Sequence, residues 1–287
     1  ELGVVMEAVY NYLGITRQGF YKSLHRHEDQ TGLMAQVDVL VDAYRREKDR
    51  RAGSRSLYYN LDIKALFGLG VNKFERLMAE AGLTLAPLKV KVITTVSCYK
   101  SWRYSNLANG LDVNDINKLV VGDITYLFID RERYHLFCLT DVYSARIVGI
   151  HISQRIRSKD AHHALDAWIA LRGKEAIQGC IHHTDGGGQY FSTTYIQALT
   201  DCKDAISTAR NCLQNGYAEQ RNGLLKHHLL PTRNLSRPHL IRKELAEAIR
   251  FYNEDRKQAG LGWRSPVEYE DYISRIALEE RVTLELY

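Results

Sequence analysis

The chain has 287 residues, 45% of them hydrophobic and 25% charged, with a formal net charge of +5. This is the balance of an ordinary soluble protein with two or three small domains. No apolar run approaches the roughly 20 residues of a membrane span, and the mixed acidic and apolar N-terminus is no signal peptide. Five scattered cysteines (Cys98, Cys138, Cys180, Cys202 and Cys212) form no C-x-x-C pair, which argues against a disulfide frame or zinc site and for a reducing compartment.

The charge is unevenly placed. Residues 1–110 hold 16 Lys and Arg against 11 Asp and Glu, whereas the remainder holds 23 of each. A basic region ahead of a neutral, acid-bearing one suits a DNA-binding module joined to a catalytic module. The first residue is Glu rather than Met, so the chain is read as a fragment or as part of a longer product with an upstream domain or partner.

Residues 4–27 predict short helices about a turn at Gly14, with Thr16 as an N-cap. Met34, Val37, Leu40, Val41 and Tyr44 recur at helical spacing and predict a helix over 33–50. Another helix opens at Ser54. A glycine turn at Gly70 then leads into a helix with Phe74, Leu77 and Met78 on one side and Lys73 and Arg76 beside them. Helix, tight turn and helix with basic flanks is the outline of a helix-turn-helix DNA reader, so residues 1–85 are read as a helical DNA-binding region with Lys73 and Arg76 as candidate contacts. Residues 86–116 read as a linker or arm. Its Lys89, Lys91, Lys100 and Arg103 alternate with Tyr99, Trp102 and Tyr104, a composition that can grip a phosphate backbone.

From residue 117 the pattern becomes α/β. Three β-rich runs over 118–129, 134–142 and 145–153, with turns at Arg131-Glu132-Arg133 and Tyr143-Ser144, predict an antiparallel meander. A helix over 159–171, a strand over 179–184, a helix over 192–201 and a strand over 204–208 follow. Two further helices are expected, over 214–230 and 238–253. This order is that of a ribonuclease H-like catalytic core over residues 117–257, with 258–287 left as a C-terminal tail.

Three acids in this region need an explanation. Asp123 interrupts the apolar run from Leu119 to Leu127, where an unpaired charge is costly to bury. Asp185 ends a strand and precedes three glycines. Glu219 shares a polar helix face with Asn215, Asn222 and Lys226. Taken singly, each has an ordinary structural explanation: a strand-edge residue, a turn former and a solvated helix residue. Two strand ends and a helix that bring three carboxylates together can hold divalent metal ions for phosphoryl transfer. Asp141 reads as a hairpin residue, and the adjacent His182 and His183 as structural histidines on opposite strand faces.

These segments resemble the DDE transposases of bacterial insertion sequences, specifically the insertion-sequence-three family, whose catalytic core is like that of retroviral integrases. Asp123-Ile124-Thr125-Tyr126 resembles the first-aspartate motif, and Asp141 to Gly149 the second and third strands. His183-Thr184-Asp185-Gly186-Gly187-Gly188-Gln189-Tyr190 resembles the second-aspartate motif. Asn215 through Glu219 to Lys226 resembles the glutamate helix. Tyr252 to Arg256, Leu261-Gly262 and Ser265-Pro266 resemble the C-terminal signature. The chain departs from the usual pattern in having Val121 two residues before the first Asp, and Gly216, Gln220 and Arg221 around the Glu. The 33 residues between Asp185 and Glu219 are slightly fewer than is usual.

The resemblance implies a transposase that cleaves and rejoins DNA at element ends, with Asp123, Asp185 and Glu219 catalytic and holding two Mg²⁺ ions that Mn²⁺ can replace. Asn215, Lys226 and Arg256 are the candidate DNA contacts in this half. The implied partners are the element's terminal inverted repeats and target DNA, gripped by a homo-oligomer in the bacterial cytoplasm at the nucleoid. The competing readings are a ribonuclease H-like nuclease without strand transfer and a domesticated DNA-binding protein that has lost the chemistry.

Overall fold

The computed structural model describes residues 6–87, 104–209 and 212–286; the basic-aromatic stretch from Lys89 to Arg103 lies outside them. The chain divides into two compact units, one of Glu1–Arg46 with Gly53–Leu85, the other of Glu47–Ala52 with Ala86–Tyr287.

The first unit is helical. Helix α1 (Met6–Leu13) is followed by α2 (Arg17–Glu47), α3 (Ser54–Asn60), α4 (Ile63–Phe67) and α5 (Val71–Glu80). Thr16 accepts the Gly19 N–H at 3.0 Å as the N-cap of α2. The sequence reading broke this helix before residue 33, but it runs unbroken for 31 residues. No proline interrupts it, and Gly32 costs too little to stop it. In α5, Phe74, Leu77 and Met78 are buried, together with Leu57 and Ile63. Asp62 sits in the left-handed region at φ 49° and caps α4 through the Ala65 N–H. Lys73 and Arg76 lie on the exposed side; Arg76 faces Glu80 at 3.7 Å.

The second unit is built on a mixed sheet. Its elements are β1 (Asp112–Val113), β2 (Leu119–Ile129), β3 (Glu132–Asp141), β4 (Ile147–Ser153), α6 (Ser158–Arg172), α7 (Lys174–Ile177), β5 (Ile181–Thr184), α8 (Thr193–Asp201), β6 (Ala205–Thr208), α9 (Gly216–Leu224), α10 (Ile241–Arg250), α11 (Pro266–Ile273) and β7 (Leu284–Glu285). Five strands pair in the order β4-β3-β2-β5-β6. The first three are antiparallel, and β5 and β6 join parallel to β2. With helices on both faces, this is the ribonuclease H-like arrangement.

One face of the sheet buries Val120, Phe137 and Leu139 against Ala161, Ala164, Leu165 and Trp168 of α6. The other buries Leu119, Val121, Val142 and Tyr143 with Ala218 of α9 and Ile273 of α11. Gly149 lets α6 approach β4 closely: a Cβ there would lie 2.2 Å from the Ala164 carbonyl oxygen.

The sequence reading differs from the structure at several points. The β2–β3 turn is Asp130-Arg131, both at positive φ, which is the two-residue hairpin geometry that matches strand twist; Glu132 and Arg133 belong to β3. The long helix expected over 214–230 is α9 followed by a π turn over Leu225–Leu229, and α10 likewise widens over Phe251–Asp255. Residues 258–286 are not a loose tail. Ser265 and Glu268 form a reciprocal capping box that starts α11, β7 pairs with β1, and Leu286 is buried.

Candidate active site

Register brings two of the acids together. The parallel pairing of β2 with β5 ends at Gly122 opposite Thr184, so Asp123 and Asp185 are the next residue on each strand. Neighbouring strands lie about 4.8 Å apart. Gly186, at φ 81°, turns the chain away after Asp185 as few other residues can. The Gly187 N–H then donates to Asp185 Oδ1 at 3.0 Å.

Helix α9 is fastened across β2 at both ends of its polar face. Asn215 Nδ2 donates to the Gly122 carbonyl at 3.1 Å, and Asn222 Nδ2 to Asp123 Oδ2 at 2.7 Å. Glu219 lies between them in sequence, one helical turn from each, and so shares their face. The start of α9 is also tied to β5 and β6: His183 Nε2 meets the Gln214 carbonyl at 3.0 Å, and its Nδ1 meets Ser207 Oγ at 2.8 Å.

The three acids sense one another. Burial and then the charge of Asp185 push Asp123 up to about 6, with Glu219 adding to the effect. Desolvation also raises Asp185, against the help of the Gly187 N–H. Glu219 is exposed, yet partial desolvation and the charge of Asp185 raise it too. Among the described residues, no three His, Cys, Asp or Glu side chains are drawn close enough to clasp a metal ion without adjustment. The donors nevertheless suit a hard cation: they are carboxylate oxygens, their repulsion is what a cation relieves, and Asn222 Oδ1 beside Asp123 is buried without a partner among the described residues.

The remaining candidates divide. Lys226 is half-buried on the π turn, with Nζ 4.4 Å from the Tyr126 ring centroid. Asn215 and Arg256, expected at DNA, are instead engaged within the protein. Asn215 is 3% exposed and Arg256 9%; the Arg256 Nε pairs with Asp49 Oδ2 at 3.0 Å. Asp49 is fully buried and also meets His228 Nδ1 at 2.8 Å. Burial alone would raise its carboxyl, but His228 and Arg256 hold it below its usual range.

His182 meets the Tyr195 hydroxyl at 2.9 Å and stacks on Trp168; burial drives it down to about 3, so it is a neutral core residue. Asp141 accepts from the Ser144 and Asn117 backbone N–H groups and organises the β3–β4 turn. The sequence reading placed Asn222 on the Glu219 face without giving it a task, and it missed the link from His183 to α9. Both contacts join residues far apart in the chain, which only the folded structure brings together.

Two family models, both described as an integrase core domain, match residues 114–211 and 200–266. The chain is 26% identical to an uncharacterized 31 kDa protein of insertion element IS600 from Shigella sonnei, over 92% of this chain and 98% of that protein. It is 32% identical to the transposase of IS904 from Lactococcus lactis, over 55% of this chain and 63% of the relative. It is 29% identical to transposase InsF of IS3A from Escherichia coli, over 54% of each. The match thus spans less than two thirds of the latter two proteins. Among solved structures, the catalytic core domain of HTLV-2 integrase in complex with magnesium aligns over 56% of this chain and 99% of that one, at 21% identity and a TM-score of 0.45. A simian T-cell lymphotropic virus intasome aligns over 72% and 68%, at 19% and 0.48.

Fold and family models together make the second unit an integrase core. The chain belongs with the integrase-core proteins, and it is similar to transposases of bacterial insertion sequences, those of IS904 and IS3 among them.

Proposed function

We propose that Asp123, Asp185 and Glu219 hold two Mg²⁺ ions, replaceable by Mn²⁺, and that the protein uses them to cleave DNA at the ends of its insertion sequence and join the freed 3′ ends to target DNA. The observation that carries this reading is the placement of three carboxylates on β2, just past the end of β5 and on the face of α9 that Asn222 ties to Asp123. Bound there, Mg²⁺ would polarise the phosphoryl oxygens and lower the pKa of attacking water.

The chain's own residues supply the positioning. Asn222 holds the Asp123 carboxylate, the Gly187 N–H holds that of Asp185, and Asn215 keeps α9 against β2 so that Glu219 faces both. Lys226 places a positive charge two helical turns beyond Glu219, where a DNA phosphate can take it. Lys73 and Arg76, exposed on α5, are proposed contacts for the element's terminal repeats. The working form on paired ends is proposed to be a homo-oligomer in the cytoplasm. Among the described residues, no helix is long and apolar enough to cross a membrane.

The test is Glu219→Gln. With the fold intact by circular dichroism, Mg²⁺-dependent 3′-end joining on DNA carrying the element's own terminal repeats should fall about hundredfold or more. Unimpaired joining would overturn the metal assignment. Cleavage by the parent protein without joining would show a nuclease instead.

A further inference from the structure

The β2–β3 hairpin carries a surface that the metal site does not account for. Tyr126 is 50% exposed and Phe128 63%, two large aromatic rings on the same face of one strand, packed edge to face at 5.8 Å. Arg133, opposite Phe128 on β3, lies over both rings at 5.5 and 5.7 Å. Lys226 reaches the Tyr126 ring from the segment that follows Glu219.

Neither cation has an acidic partner among the described residues. This sets them apart from Arg146 and Arg172, which pair with Glu270, Arg157 with Asp160, and Arg256 with Asp49. On the β5 side, β2 has no strand partner beyond Gly122 among the described residues, because its pairing with β5 stops there. At about 3.4 Å per residue, Tyr126 stands about 10 Å along the strand from Asp123 and Phe128 about 17 Å; both rings project from the strand face opposite to Asp123, so a DNA strand reaches them round the β2 edge, where Lys226 meets Tyr126.

We propose that Tyr126 and Phe128, with Arg133 and Lys226 laid over them, form a stacking platform for unpaired nucleotides of the DNA strand that leads out of the Asp123 site. Charge chooses the occupant. A protein segment covering the rings would have to bring its own acids to neutralise the two cations, whereas a nucleic-acid strand brings a phosphate with every base. The flat face of any base stacks on an aromatic ring, so the platform holds strand without reading sequence. A duplex cannot use it, because its bases are already stacked. The platform rests on the reading that the Asp123 site acts on DNA, and it adds a way to hold an end that has come unpaired there.

The experiment is equilibrium binding of the full chain to fluorescein-labelled oligo(dT), and to a blunt duplex of equal length, followed by anisotropy in EDTA. Tyr126→Ala and Phe128→Ala should each weaken oligo(dT) binding about tenfold, which is about 1.4 kcal/mol and within the range for one stacked base. Tyr126→Phe and Phe128→Trp should bind as the parent does, and duplex binding should change less than about twofold. Both rings are exposed, so the alanine variants test the surface rather than the fold.

Parental oligo(dT) affinity in the Tyr126→Ala, Phe128→Ala double variant would overturn the proposal. So would an equal loss on duplex and oligo(dT), or a change of oligomeric state by light scattering, which would assign the face to a second copy of the chain. Because binding is read without metal, Glu219→Gln should bind oligo(dT) normally. If that variant still joins DNA, the metal-site reading fails while the platform stands; if the alanine variants bind normally, the platform fails while the metal site stands.

Discussion

Replacing Asp123 with Asn removes a charge while keeping the shape and the contact with Asn222. In the metal-free protein this should be stabilising. The Asp123 carboxyl is pushed from an ordinary 3.8 to about 6 by burial and by Asp185, which corresponds to about 3 kcal/mol of penalty on the ionised form. A carboxyl whose folded value lies above its unfolded one favours the protonated state in the fold. The penalty is therefore absent below about pH 4, grows as pH rises towards 6, and is complete above that. In EDTA at pH 8, Asp123→Asn should unfold at higher urea concentration than the parent, or roughly 6–12 °C higher on heating, given about 2–4 °C per kcal/mol for a unit of this size. At pH 4 the two proteins should nearly coincide. Mg²⁺ should then stabilise the parent and leave the variant unchanged. A variant no more stable than the parent at pH 8, or a difference that does not shrink at pH 4, would show that the acids do not repel one another across the site.

Two further substitutions probe the frame around the site. Gly149→Ala should lower stability by about 1–3 kcal/mol or more in urea unfolding, because its Cβ would meet the Ala164 carbonyl 2.2 Å away and backbone cannot yield as a side chain does; parental stability would mean that α6 is not held against β4 there. Asp204, which burial pushes up to about 7, carries a penalty that opens as pH rises from about 4 to 7. Since the residue is half-buried, solvent screening should limit the gain from Asp204→Asn to about 1 kcal/mol at pH 8, and a gain that persists at pH 4 would refute the assignment.

The acids were legible in the sequence because each contradicts its surroundings: an Asp among Val and Ile, an Asp before three glycines, a Glu on a face with two Asn. The order of elements along the chain and the antiparallel meander were legible from the same runs, since period-2 strands and amphipathic helices carry different apolar spacings; the parallel joining of β5 and β6 to β2 was not. What sequence could not show was which polar groups spend themselves inside the protein. Arg256 reads as a free cation in a motif, but it is paired with a residue 207 positions earlier. Asn215 reads as a polar helix residue, yet it anchors α9 to the Gly122 carbonyl. Local pattern carries no record of partners so distant in the chain. The π turns over Leu225–Leu229 and Phe251–Asp255 are invisible for another reason: one residue of extra width leaves the apolar spacing almost unchanged.

Asp49 has a consequence for dissecting the protein. Residues 47–52 belong to the catalytic unit, although the chain on both sides of them belongs to the helical one. A fragment that starts at residue 86 therefore keeps Arg256 and His228 but loses the carboxylate that pairs with both, leaving without it a guanidinium that is 9% exposed. Removing one partner of such a pair costs about 3–5 kcal/mol, a large share of the stability of a domain. The catalytic half is thus not separable by a single cut: one short peptide from the other half completes it, and poor behaviour of the bare fragment would reflect that missing peptide rather than any fault in the three acids.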